Sequence, residues 1–244
     1  MPKANGQIYC ISYPCSGRNW LMNIVENYCP ERISFTHDIL EKDSAQNTTT
    51  WEDIHKYKES GKMDAWKKMY AHRKNVILTR DPRDVVISYF YQKKYREPYL
   101  LSTGFISEAG NFDGSIEDFV KDDIFGIKTI VEFMNLWVDL IKSGSSLHVT
   151  YEAMHENPVS ESSRLIEFAG VDVDNSKIKM AVLSSEFGKH QFAESLSFGD
   201  NLNVYKYRRG IMGGYKEELS QKTIAEINKI IQKNLDKFYY MYGD

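Results

Sequence analysis

Cysteine is scarce in this chain. Its three residues, Cys10, Cys15 and Cys29, form no CxxC pair, which argues against a disulfide framework and against a structural zinc site. An excess of either charge is also lacking: 31 Lys and Arg face 34 Asp and Glu, for a net charge of −3. There is no broad positive field for nucleic acid, so any anion site must be local. No apolar run reaches the roughly 18 to 20 residues of a membrane span, and MPKANGQIYC does not have the basic-then-apolar layout of a signal peptide. A cytoplasmic protein without a membrane span is expected. Internal repeats, low-complexity tracts and linkers are missing too. The 244 residues, 42% hydrophobic and 13% aromatic, are expected to form a single domain, 1–244.

Short apolar runs alternate with helical patterns. Gln7 to Ser12 reads as a strand that ends in the turn-like Tyr13-Pro14-Cys15-Ser16-Gly17, after which Trp20, Leu21, Ile24 and Val25 repeat at helical spacing. Further strands are expected at Arg32–Thr36, Asn75–Thr79 and Leu147–Thr150. Asp81 is placed as an N-cap with Pro82 at the first helical position. Helices are expected near Trp51–Glu59, Ser115–Asp122, Ile127–Ile141, Ser160–Ala169 and Ser176–Leu183, with an amphipathic helix carrying Ile224, Ile227, Ile231, Leu235 and Phe238 near the end. Gly104–Gly114 reads as loop, and Phe187–Gly214, which shows no periodicity, as a long functional loop. Strands alternating with helices imply an α/β fold, a parallel sheet flanked by helices.

Three stretches carry chemistry. In Ser12–Trp20 a strand passes through small residues into a helix, so backbone N–H groups can converge on a phosphate. No Lys-Ser or Lys-Thr follows Gly17, so the magnesium-binding hydroxyl of a nucleotide-triphosphate loop is missing and phosphoryl transfer is disfavoured. Arg80 stands at a strand end, before the helix that bears Ser88; its guanidinium suits a dianionic phosphate. Arg208 and Arg209 adjoin Gly210 in a glycine-rich stretch where backbone can approach a ligand. Each has a plainer reading. Arg80 could pair with Asp81 or Asp84, Arg208 and Arg209 could be solvated, and Trp20 could be core.

Taken together, YPCSGRNW, RDPRDVVIS and RRGIMG, in this order, resemble the PAPS-dependent cytosolic-type sulfotransferases, especially their shorter bacterial members. Phe35-Thr36-His37-Asp38, Tyr151-Glu152 and Ser184-Ser185-Glu186-Phe187 extend the likeness over about Ile8 to Ser220. The resemblance implies a P-loop-like sulfotransferase fold that takes 3′-phosphoadenosine 5′-phosphosulfate (PAPS) as donor, releases adenosine 3′,5′-bisphosphate and needs no metal. Cys15, Ser16, Gly17, Arg18 and Asn19 would lie at the 5′-phosphosulfate, with Trp20 against the adenine. Arg80, Ser88 and Arg208 would hold the 3′-phosphate beside Arg209 and Gly210, and Tyr151 joins the cofactor set.

The resemblance also implies that His37 is the general base; a packed core histidine is the plainer alternative. Two positions depart from the family pattern: Cys15 and Phe35 stand where many members carry lysine, which leaves Arg18 as the cation for charge developing in transfer. The acceptor would be a small molecule with a hydroxyl or amine, and Tyr89, Phe90, Tyr91, Tyr95, Tyr99 and Phe105 could either line its pocket or form core. Two rivals remain, a phosphotransferase on the same scaffold and a non-catalytic adenosine-phosphate binding protein. The other histidines show no metal-ligand spacing, and Lys93-Lys94 reads as a solvated pair.

Overall fold

Four of the short apolar runs pair into one parallel sheet. Strands β1 (Ile8–Ser12), β2 (Ile33–Thr36), β3 (Asn75–Thr79) and β4 (Ser146–Thr150) lie in the order β2-β1-β3-β4. Cys10 pairs with Phe35 on one side and Val76 on the other, and Ile77 pairs with His148. All five residues of β3 are buried, which is why Val76, Ile77 and Leu78 run together as apolar residues and do not alternate with polar ones. The computed structural model describes residues 8–30, 32–36, 68, 70–107 and 112–243. The helix expected at Trp51–Glu59 lies outside them, as do residues 108–111 of the expected loop.

In chain order the helices are α1 (Arg18–Tyr28), α2 (Pro82–Tyr91), α3 (Glu97–Ser102), α4 (Ile116–Lys121), α5 (Ile127–Leu136), α6 (Val138–Lys142), α7 (Tyr151–Glu156), α8 (Pro158–Phe168), α9 (Asn175–Ser184), α10 (Phe187–Phe198), α11 (Tyr215–Glu218) and α12 (Gln221–Asn234). A π turn, Gln92–Arg96, joins α2 to α3. The chain divides into two units, Met1–Arg80 with Leu136–Val182 and Asp81–Asn135 with Leu183–Asp244.

The first unit holds the sheet. On one sheet face Cys10, Val76, Leu78 and Val149 pack against Leu21, Ile24 and Val25 of α1 and Leu165 and Ile166 of α8. Each such side chain contributes about 1.5–3 kcal/mol on burial, so α1 is anchored along its length while its first turn follows the loop that leaves the end of β1. The second unit is helical, and Phe119 is its aromatic hub. Its ring is buried and lies parallel to Phe125 at 5.6 Å, with edge contacts to Tyr89, Phe90 and Phe112.

Three expectations are corrected. The single helix at Ile127–Ile141 is split at Trp137, whose buried indole packs edge-on to Tyr70 at 5.7 Å. Phe187–Gly214 is no long loop, because α10 fills its first half. No residue of α10 is buried, so it has no apolar face to write a period. It is tethered instead through Glu194, which accepts from the backbone N–H of Lys206 and Tyr207 and pairs with Arg96. Lys93 is not solvated either. It is buried, pairs with Glu97 at 3.2 Å and sits over the Tyr89 and Phe125 rings.

Candidate functional site

The β1–α1 junction turns through two residues with left-handed backbone, Cys15 (φ 66°) and Gly17 (φ 95°). Gly17 is the N-cap of α1. It brings no side-chain cap, and the first turn of the helix holds no acidic residue. The early amides of α1 therefore keep their attraction for an anion. A Cβ on Gly17 would stand 2.5 Å from the Tyr151 ring, so both the backbone and the packing require glycine.

Tyr151 gathers the rest of this cluster. It follows β4 as the first residue of α7, is buried, and meets the Trp20 ring edge-on at 5.9 Å. The Arg80 guanidinium lies over its ring at 4.3 Å and donates through Nη1 to the Cys15 carbonyl at 3.3 Å. The turned backbone of Cys15 thus presents the carbonyl that Arg80 uses. Phe35, at the other lysine-for-apolar departure, packs against the core cluster. The expected residues Cys15 through Trp20, Arg80 and Tyr151 all belong to the first unit, and this geometry draws the loop, Trp20, Arg80 and Tyr151 together.

In the second unit α2 begins as expected, with Asp81 as N-cap accepting from the Arg83 N–H at 2.9 Å and Pro82 in the first turn. The Asp81 carboxylate also binds the Arg83 side chain. Ser88 is half-buried on the same helix. Asp84, buried in the first turn, accepts from the N–H of Gly213 at 2.7 Å and of Tyr215 at 3.2 Å, which ties down the end of the arginine-glycine stretch. Gly210 has φ 63°, and a Cβ there would stand 2.6 Å from the Phe187 ring.

Arg208 and Arg209 are both ion-paired, Arg208 largely buried and Arg209 partly exposed. Arg208 pairs with Glu218 at 2.7 Å and lies 3.7 Å above the Tyr91 ring, while Arg209 pairs with Glu217 and Glu218. Burial would raise the Glu218 carboxyl, but hydrogen bonds from Tyr91 and Arg208 outweigh it and hold the group below the usual carboxylate range. Burial and the bond to Glu218 push the Tyr91 phenol up to about 12. Sequence reasoning assigned Glu218 no role and left Tyr91 between pocket and core. Nothing local marks either residue.

Tyr89 and Phe90 are core, Tyr91 and Tyr95 stack on each other, and Phe105 is 72% exposed. Cys10 is a buried thiol pushed up to about 12 by burial against the opposing charge of Arg18, so it is inert. His148 is pushed down to about 4 by burial and by Arg164, and its Nε2 lies 2.8 Å from Thr79 Oγ1. His37 lies outside the described residues. No cluster of metal-ligating side chains occurs among the described residues, and none of their helices is long and apolar enough to cross a membrane.

The residues present fit an adenosine phosphosulfate. An uncapped helix start would suit an anion, Gly17 lets that start lie close against Tyr151, and an arginine and a tryptophan flank the same ring. Residues 5–239 match the sulfotransferase domain family. Sulfotransferase 2B1 of Mus musculus is 22% identical, the alignment covering 90% of this chain and 67% of that protein. Sulfotransferase 1 family member D1 of Mus musculus is 25% identical over 67% of this chain and 54% of its own length, so the chain spans about half of that relative. Among solved structures, mouse sulfotransferase SULT7A1 complexed with PAP shares the fold at a TM-score of 0.66 and 18% identity, over 95% of this chain and 86% of that one. Retinol dehydratase in complex with androsterone and inactive cofactor PAP follows at 0.63 and 15%, over 97% and 83%.

Proposed function

This chain belongs to the sulfotransferase domain family, and from that premise we propose that it transfers a sulfuryl group from PAPS to a hydroxyl or amine of a small-molecule acceptor. PAPS, when bound, supplies the sulfuryl group and the adenosine 3′,5′-bisphosphate leaving group. The observation that carries the reading is the start of α1, left without a side-chain cap and bordered by Tyr151, whose ring the Arg80 guanidinium overlies. PAP is named with both solved structures above, which supports the same donor here. The functional unit is taken to be the whole chain, 1–244, as one sulfotransferase domain; a family match that runs through residues 5–239 supports this.

In this proposal Ser16, Gly17 and Asn19 hold the 5′-phosphosulfate through the loop and the early amides of α1, with Cys15 contributing backbone. Arg18, the first residue of α1, supplies the positive charge that a loop lysine would otherwise bring as charge builds on the bridging oxygen. Trp20 and Tyr151 offer aromatic surface to the adenine. Arg80, Ser88 and Arg208 take the 3′-phosphate beside Arg209 and Gly210, and His37 removes the acceptor's proton. The roles of His37 and Ser88 rest on the motif resemblance, and no metal has a role.

Calorimetry tests the donor. The protein should bind adenosine 3′,5′-bisphosphate far more tightly than adenosine 5′-monophosphate, and Arg80→Ala or Arg208→Ala should each cost about 1.5–3 kcal/mol of that preference. Equal affinities in the parent protein would overturn the 3′-phosphate assignment. Activity is tested by incubating an acceptor panel with PAPS and reading the mass shift of one sulfuryl group; His37→Ala should abolish the shift and leave nucleotide affinity nearly unchanged.

A further inference from the structure

We propose that Glu218, together with Tyr91, is a positioning residue for Arg208, fixing the place and plane of its guanidinium for the 3′-phosphate. The proposal rests on the reading of Arg208 given above. Three donors converge on the Glu218 carboxylate. One oxygen meets Arg208 Nη1 at 2.7 Å and Arg209 Nη1 at 3.3 Å, and the other accepts from the Tyr91 hydroxyl at 2.7 Å. Tyr91 acts twice, because its ring also lies 3.7 Å from the Arg208 guanidinium carbon and is backed by Tyr95, stacked at 5.6 Å. An ion pair at one end and an aromatic surface along one face restrict rotation of the guanidinium. The side chains of Arg208 and Glu218 are only 16% and 12% exposed, so the pair keeps strength that bulk water would screen. Among the described residues no hydrogen bond or ion pair occupies Arg208 Nε or Nη2, and arginine has donors to spare there.

Charge alone argues the opposite way. Arg208 and Arg209 are matched by Glu217 and Glu218, so a phosphate meets no net positive charge in this cluster, and removing Glu218 would strengthen binding if Coulomb attraction decided the matter. Positioning and competition therefore predict effects of opposite sign.

The test is calorimetric titration of the full chain and of Glu218→Ala, Glu218→Gln and Tyr91→Leu with adenosine 3′,5′-bisphosphate and adenosine 5′-monophosphate. Glu218→Ala should weaken the bisphosphate by about tenfold, the scale of one partly lost charged contact, and leave the monophosphate nearly unchanged. Glu218→Gln should recover part of the loss, since its amide oxygen still accepts from Arg208 while its amide NH2 can donate to the Tyr91 hydroxyl oxygen, and Tyr91→Leu should resemble Glu218→Ala. A Glu218→Ala protein that binds the bisphosphate as tightly as the parent, or more tightly, overturns the proposal. Equal weakening of both ligands, unrelieved by Glu218→Gln, marks a merely structural role and overturns it too. If Glu218→Ala does not fold, Tyr91→Leu decides, parent-like bisphosphate affinity being the overturning result. A parent protein that does not distinguish the two ligands removes the 3′-phosphate reading of Arg208 itself, and this proposal with it.

Discussion

At the end of β1 the chain passes through Cys15 and Gly17 into a helix with neither a side-chain cap nor a first-turn acid, whereas at the end of β3 it passes through Asp81 into a helix with both. In α2 the Asp81 carboxylate occupies the amide of Arg83, Pro82 removes another, and Asp84 adds negative charge. That start is satisfied from within, and an anion there would meet repulsion. Any affinity for phosphate around it would have to come from guanidinium groups. The α1 start has no such filling, and Gly17 brings neither a cap nor a Cβ to press on Tyr151. A helix N-terminus thus becomes an anion site only where the chain declines to fill it.

The strongest way to break the contrast is Gly17→Ala. A left-handed alanine with its Cβ against the Tyr151 ring should cost about 2–4 kcal/mol in denaturant unfolding and abolish nucleotide binding by calorimetry. Asp81→Ala should cost about 1–3 kcal/mol through the lost cap and the lost Arg83 pair, and Asp81→Asn, which retains an acceptor, should cost less. Only the first of these two sites should show loss of the 5′-monophosphate as its main effect.

Acid offers a third test, on the strand end that bears Arg80. His148 titrates near 4 in the folded chain, below the ordinary value of about 6.5. Between those values the unfolded chain binds the proton and the folded chain does not, so stability is full above about pH 6.5 and falls as pH drops toward 4. Allowing for solvent around a half-buried ring, the loss should be about 1–2 kcal/mol. Denaturant curves across this pH range should flatten in His148→Gln. Asn19→Asp should have the smallest effect on folding. A carboxylate in the first turn of α1 should add about 0.3–1 kcal/mol of stability while weakening the bisphosphate, so that unfolding and calorimetry move in opposite directions.

Local rules made much of the fold legible. NVILT declared a strand, Asp81-Pro82 declared a capped start, and the small residues before Trp20 declared a turn into a helix. Where burial is missing, so is the signal: α10 buries no residue and left no period in the sequence. Lys93 was misread for the opposite reason, because its aromatic and acidic neighbours are assembled by packing. The motif arginines could be named as candidates, but their surroundings could not.

By itself the sequence determined the parallel α/β architecture, the small-residue turn into a helix at Gly17 and the family, because strand, capping and turn chemistry act over a few neighbouring residues. Tertiary structure alone decided that Arg80 lies on Tyr151, that Asp84 pins Gly213 across 129 positions and that Tyr91 holds Glu218 across 127. Such contacts depend on how helices settle against one another, and no short-range pattern of residue types encodes that settlement.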